Sequence, residues 1–287
     1  LSSKSNTRLT QLLLILAGVV VIALILFAPE RKADQKKKQE LAVDSHEGHD
    51  HAEGEGHEDE VAEKSEALPE GVKELEQQAE KVSDVDTKLN LYDSLISISI
   101  REKRPNLVAK YSKKKAMAVS TEKNWMLAGD NYFKAFRLSK NQSQEMLNGA
   151  IAAYEKVQEI NPDNLDAKTA IGVAYVEGAS LTGQPPMRGI GILQEVLNID
   201  PENVNALTNL GYFAIQSGQY DKAIERFEKV LQIDSLNAEA YLYLTDVYLS
   251  QDEVEKGIET LEEYKKMVND PLVKKQVDDY IKEIKTN

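Results

Sequence analysis

The sequence predicts an all-α solenoid, and three observations carry that prediction. Residues 204–237 hold two consecutive apolar stripes at helical spacing: Leu207, Leu210, Gly211 and Ala214, then, past Gly218, Ala223, Phe227 and Val230. Side chains at i, i+3, i+4 and i+7 share one helix face, so each stripe reads as an amphipathic helix and the stretch as a helix-turn-helix unit. The unit recurs at a fixed step, as it must, because one helix pair cannot bury its apolar face alone. Finally, Asn161-Pro162 and Asp200-Pro201 stand at equivalent boundaries between units.

Taken forward by the same step, the template meets Tyr241, Leu244, Tyr248, Gly257 and Leu261. Taken backward, it meets Ile171-Gly172 and Tyr175, then Gly189, Leu193, Val196 and Pro201, with extra residues between the two helices. One step further back it meets Trp125, Gly129 and Tyr132, then Ala150, Tyr154, Val157 and Pro162. Small residues at 211 and 223 let two helix backbones approach, while Phe227 fills the angle between them. This pattern resembles the tetratricopeptide repeat, which has a period of about 34 residues. The expected units are 122–164, 165–203, 204–237 and 238–270. Before them, 68–121 reads as a degenerate helix pair and cap, with stripes Val72–Leu75–Ala79–Val82, Val85–Leu89–Tyr92–Leu95–Ile96 and Leu107–Val108–Tyr111–Ala118. After them, Pro271 opens a capping helix over 271–287 with Val273, Val277, Tyr280, Ile281 and Ile284 on one face. Two departures from the template, Leu138 to Gln144 and Ser180 to Arg188, lengthen internal turns; the second contains Gly183-Gln184-Pro185-Pro186. Inserts in solenoids map to loops on one edge, where they serve as contact elements or as tolerated surface additions.

The N-terminal part has a different character. Residues 1–8 form a short tail, and 9–28 read as a transmembrane helix, since Leu12 to Ala28 carries no polar or charged side chain. Twenty residues at about 1.5 Å each match a hydrocarbon core of about 30 Å. A cleaved export signal is the competing reading, but Leu26-Phe27-Ala28 before Pro29 is a poor cleavage site. Lys4 and Arg8 precede the span and Arg31, Lys32, Lys36, Lys37 and Lys38 follow it, so a plain count of basic residues puts the C-terminal part in the cytoplasm. A short basic tail before an apolar core is nonetheless the usual start of an export signal. The expected placement is therefore a single pass through the cytoplasmic (inner) membrane with a periplasmic C-terminal domain, a cytoplasmic one being the alternative. Cysteine is absent, so disulfides do not arbitrate.

Residues 29–67 read as a charged, disordered tether. From Asp44 to Glu66 there are ten Asp or Glu and one Lys, and all four histidines of the chain, His46, His49, His51 and His57, lie within it. So acidic and apolar-poor a segment buries too little surface to offset ordering entropy. It reads either as a plain spacer or as an adaptable, low-affinity ligand set for Zn²⁺, Ni²⁺ or Cu²⁺. No other cofactor is expected.

Composition removes whole classes of chemistry from the helical region. Beyond His57 there is no histidine and no cysteine, which excludes Ser-His-Asp and Cys-His nucleophiles, two-histidine zinc motifs and thiol redox chemistry there. No Walker-type loop or dinucleotide fingerprint is present, so neither an enzyme nor a small-molecule substrate is expected. The helical region holds about −8 of the chain's −13 charge and repels phosphate backbones. Binding of protein remains. The resemblance implies that the first helices of successive repeats line a groove for a partner's segment. Its positions here are Met126 and Asp130, Thr169 and Val173, Thr208 and Tyr212, and Leu242 and Asp246. Met126, Thr169 and Thr208 stand where the carboxylate-clamp members of that family want lysine. The lining fits a helical or extended segment with apolar anchors and positive charge. The expected function is a membrane-tethered scaffold or adaptor at the bacterial envelope, for example in secretion or envelope assembly. The alternatives are a metal-handling protein that uses its histidine tether and a cytoplasm-facing receptor for client proteins.

Overall fold

Helix starts are written into the sequence by side chains that satisfy the first free amides. The computed structural model describes residues 70–139 and 143–286, and every element among them is helical. The helices are α1 (Glu70–Lys81), α2 (Val85–Arg101), α3 (Pro105–Ala118), α4 (Glu122–Leu138), α5 (Gln144–Ile160), α6 (Leu165–Glu177) and α7 (Ala179–Thr182). They continue with α8 (Met187–Ile199), α9 (Val204–Gln216), α10 (Tyr220–Ile233), α11 (Ala238–Ser250), α12 (Val254–Met267) and α13 (Pro271–Thr286). Asn164, Asn203 and Asn237 cap α6, α9 and α11, each accepting from the amide of an alanine three residues on, at 2.8, 3.0 and 3.0 Å. Such a cap stabilises a helix by about 1 kcal/mol over alanine. Asp84, Thr121 and Ser143 do the same for α2, α4 and α5.

The helices pack as consecutive pairs: α4 with α5, α6 with α8, α9 with α10, and α11 with α12. The second helix of each pair lies against the first helix of the next, and α6, α9 and α11 also touch in sequence. Small residues set the approach within pairs. A methyl group added at Gly211 would sit 2.7 Å from Phe227 Cζ, and one at Gly129 would overlap the Tyr154 ring. Phe227 and Tyr154 are buried where the template places its bulky residues, beside Leu207, Ala223 and Val230 in one cluster and Tyr132, Leu147 and Ala150 in another. The fold is thus an all-α repeat array. Of the two expected inserts, 140–142 lie outside the described residues. The other contains a helical turn, α7, ended by Gly183 in the left-handed conformation before Pro185 and Pro186 lead into α8.

At the N-terminal end, Glu76 of α1 ties that helix to α3. It accepts from Lys110 and Lys114, each at 2.8 Å, and from Tyr111 Oη at 3.3 Å. Tyr111 is fully buried, and burial with Glu76 alongside pushes its hydroxyl up to about 12.

The expected placement as a single-pass inner-membrane protein is corrected. Among the described residues no helix is long and apolar enough to cross a membrane. Each of the 17-residue helices, α2, α4 and α5, carries charged side chains along its length. The stretch expected to span, 9–28, lies outside the described residues. The tether 29–67 lies outside them too, with its four histidines.

Candidate protein-binding face

The first helices α4, α6, α9 and α11 position the expected groove residues, and their surroundings differ sharply. Thr169, Val173 and Leu242 are buried, at 5, 6 and 6% exposure, so a partner would reach them only by displacing neighbours. The Thr169 hydroxyl is buried with no hydrogen-bond partner. Met126, Thr208, Tyr212 and Asp246 are half-buried, and Asp130 is exposed. An apolar and aromatic surface with two carboxylates is what remains accessible.

Aromatic rings tie α9 to its neighbours. The Tyr212 ring lies 5.8 Å from that of Tyr243 on α11, and Tyr243 stacks on Phe227 of α10 with centroids 5.0 Å apart. Contacts at these separations contribute about 1 kcal/mol beyond area burial. The Tyr212 hydroxyl accepts from Gln216 Nε2 at 2.8 Å. Burial raises the Tyr243 hydroxyl well above its ordinary value, with Glu239 adding to the effect. Toward the N-terminal end, Arg137 of α4 makes a two-pronged pair with Glu177 of α6, its Nε donating to Oε2 at 2.9 Å and its Nη2 to Oε1. The same guanidinium covers the Phe133 ring at 4.4 Å. Arg137 and Glu177 thus neutralise each other between successive first helices.

The two groove aspartates are not neutralised. Desolvation raises the carboxyl of Asp130, while a hydrogen bond from Tyr154 Oη at 3.0 Å opposes the rise. Asp246 is raised by desolvation alone. Neither has a Lys or Arg partner among the described residues. Tyr280 of α13 lies within electrostatic reach of Asp246; burial and that charge push its hydroxyl up to about 12, and it has no hydrogen-bond partner. Among the described residues no group of three or more His, Asp or Glu could hold a metal ion.

Reading the groove by shifting one repeat onto the next missed Arg137, Glu177 and Tyr243. Tyr243 follows Leu242 by one residue, and that single step of about 100° separates a buried side chain from a half-buried one. The Arg137–Glu177 pair spans 40 residues and has no local sequence signature.

Comparison with known proteins supports the repeat. Residues 192–225 and 214–275 match family models described as tetratricopeptide repeat, so tetratricopeptide repeats are present across this part of the chain. A curated relative, the BBSome complex member BBS4 homolog of Drosophila melanogaster, is 27% identical over 168 residues, which are 58% of this chain. The matched part is 33% of that relative's own length. Among solved structures, MamA 41-end from Desulfovibrio magneticus RS-1 aligns with a TM-score of 0.43 at 16% identity, over 62% of this chain and 94% of its own. A MamA double mutant from RS-1 aligns with a TM-score of 0.44 at 15% identity, over 62% and 93%.

Proposed function

We propose that the repeat array is a non-enzymatic protein-binding scaffold whose first-helix face receives a partner segment with apolar anchors and positive charge. One observation carries this reading: exposed Asp130 and half-buried Asp246 are carboxylates with no Lys or Arg partner among the described residues, on the face that also presents Tyr212 and Tyr243. A Lys or Arg from a partner would supply the missing counter-charge while an aliphatic or aromatic side chain packs on the tyrosines. Tetratricopeptide repeats over 192–275 support a scaffold role in general.

The test is fluorescence polarisation of the full chain with a set of labelled, acetylated and amidated amphipathic peptides. Each carries three Lys or Arg and three of Leu, Ile or Phe. The reading expects at least one to saturate below about 100 µM, with Tyr212→Ala and the double variant Asp130→Asn/Asp246→Asn each weakening it by about tenfold. Equal binding by wild type and both variants overturns it.

A further inference from the structure

The insert inside the second repeat builds a cleft beside the first-helix face, bounded on one side by α10. It measures about 840 Å³, within the range of sites that enclose a ligand or a peptide anchor. Leu210, Phe213 and Ala214 of α9 form its buried floor, and Pro185, Pro186 and Met187 form one wall, Met187 being 65% exposed. Gly183, at φ +66°, ends α7 and turns the chain into Pro185 and Pro186; most other residues would be strained there.

The charges in this cleft run against those of the chain. Glu177 is the one carboxylate that lines it, and both its oxygens are already taken by Arg137. Opposite, α10 contributes Lys222 and Arg226. Lys222 Nζ donates to Gln219 Oε1 at 2.7 Å and pairs with no carboxylate among the described residues. Arg226 is half-buried, its one hydrogen bond a long donation of 3.4 Å to the Lys222 carbonyl, and Glu225 beside it on α10 acts only through space. Desolvation lowers the Arg226 guanidinium below its ordinary value, and no carboxylate hydrogen-bonds to it among the described residues. Gln184, Gln194 and Gln216 add neutral polar groups.

A half-buried guanidinium is retained at a cost unless a carboxylate completes it, and its planar fork takes a carboxylate through two parallel hydrogen bonds. We infer that this cleft is a second peptide-binding site, in which an internal acidic segment of a partner protein places an Asp or Glu side chain on Arg226 and Lys222 and an adjacent apolar side chain against Met187, Pro186 and Phe213. It is opposite in polarity to the first-helix face. One array thereby holds two segments of different charge, or two parts of one partner.

The probes are fluorescein-labelled, C-terminally amidated decapeptides, each with two Glu and two of Leu, Ile or Phe at varied spacing, titrated against the full chain. The expected result is saturable binding by at least one of them below about 100 µM that weakens with added salt. Arg226→Gln and Lys222→Gln should each reduce it by about fivefold or more, Arg226→Lys should lose part of it because an ammonium keeps the charge but not the two-pronged geometry, and Asp130→Asn/Asp246→Asn should leave it unchanged. Circular dichroism of each variant separates loss of the site from loss of fold. Saturation by none of the set, or undiminished binding by a folded Arg226→Gln, overturns the inference. Preference for free-carboxyl peptides with Gln in place of Glu also overturns it, since the anion would then be a chain terminus. Binding that emerges only when residues 44–66 are deleted gives the cleft to the chain's own acidic segment and overturns a partner as occupant.

Discussion

Tyr154 and Asp130 join the two helices of the first repeat: the tyrosine hydroxyl donates to Oδ1 at 3.0 Å while its ring fills the space left by Gly129. Each group alters the other. Burial and the nearby carboxylate raise the Tyr154 hydroxyl far above its ordinary value, and partial desolvation raises Asp130 despite the hydrogen bond. The pair therefore links a packing position of the repeat to a carboxylate of the proposed binding face.

Tyr154→Phe removes the hydrogen bond and leaves the ring, so it should cost about 1 kcal/mol. Gly129→Ala drives a methyl group into the ring and Gly211→Ala does the same at Phe227, so each should cost about 1–3 kcal/mol. Urea denaturation of the three variants, with unchanged slopes, checks the ranking; a Gly129→Ala variant as stable as wild type would contradict the close approach.

Asp246 makes stability depend on pH in one direction. Desolvation raises its folded pKa above the unfolded value, so its contribution is full below the unfolded value and is lost as pH rises through the folded one. Asp246→Asn should therefore raise the melting temperature at pH 7, and the gain should shrink as pH falls through the carboxylate range. Melting curves from pH 3 to 8 measure this.

Glu76 works in the opposite sense. Desolvation raises its carboxyl, but the hydrogen bonds and charges of Lys110 and Lys114 outweigh it and leave the group lowered. Its contribution is present above the unfolded pKa and is lost as pH falls through the folded one. Glu76→Gln should cost about 1 kcal/mol at pH 7 and nothing once the carboxyl is protonated. The loss should show first as faster amide exchange in α1, since Glu76 ties that helix to α3.

The repeat was legible because its determinants are local. Apolar spacing and the close approaches at Gly129 and Gly211 act within a few turns of chain or across one helix pair, whereas the Asn caps at 164, 203 and 237, just as local, emerged only from the structure. The face was only partly legible. A shift by one repeat carries Thr208 onto Leu242 but says nothing of burial, which neighbouring repeats decide, and the Arg137–Glu177 pair comes from helices 40 residues apart. The cleft was visible only as an insert. That Arg226 would meet it without a carboxylate follows from how α10 packs on α9 beside the insert's cleft, which no local pattern encodes.

Hydrogen exchange of the full chain saturated with a basic amphipathic peptide tests the central claim most directly. Slowed exchange concentrated in Glu122–Leu138, Val204–Gln216 and Ala238–Ser250, with Tyr220–Ile233 and Val254–Met267 unaffected, is the predicted result. Protection confined to those second helices, or spread evenly over the array, would contradict a binding face built from the first helices.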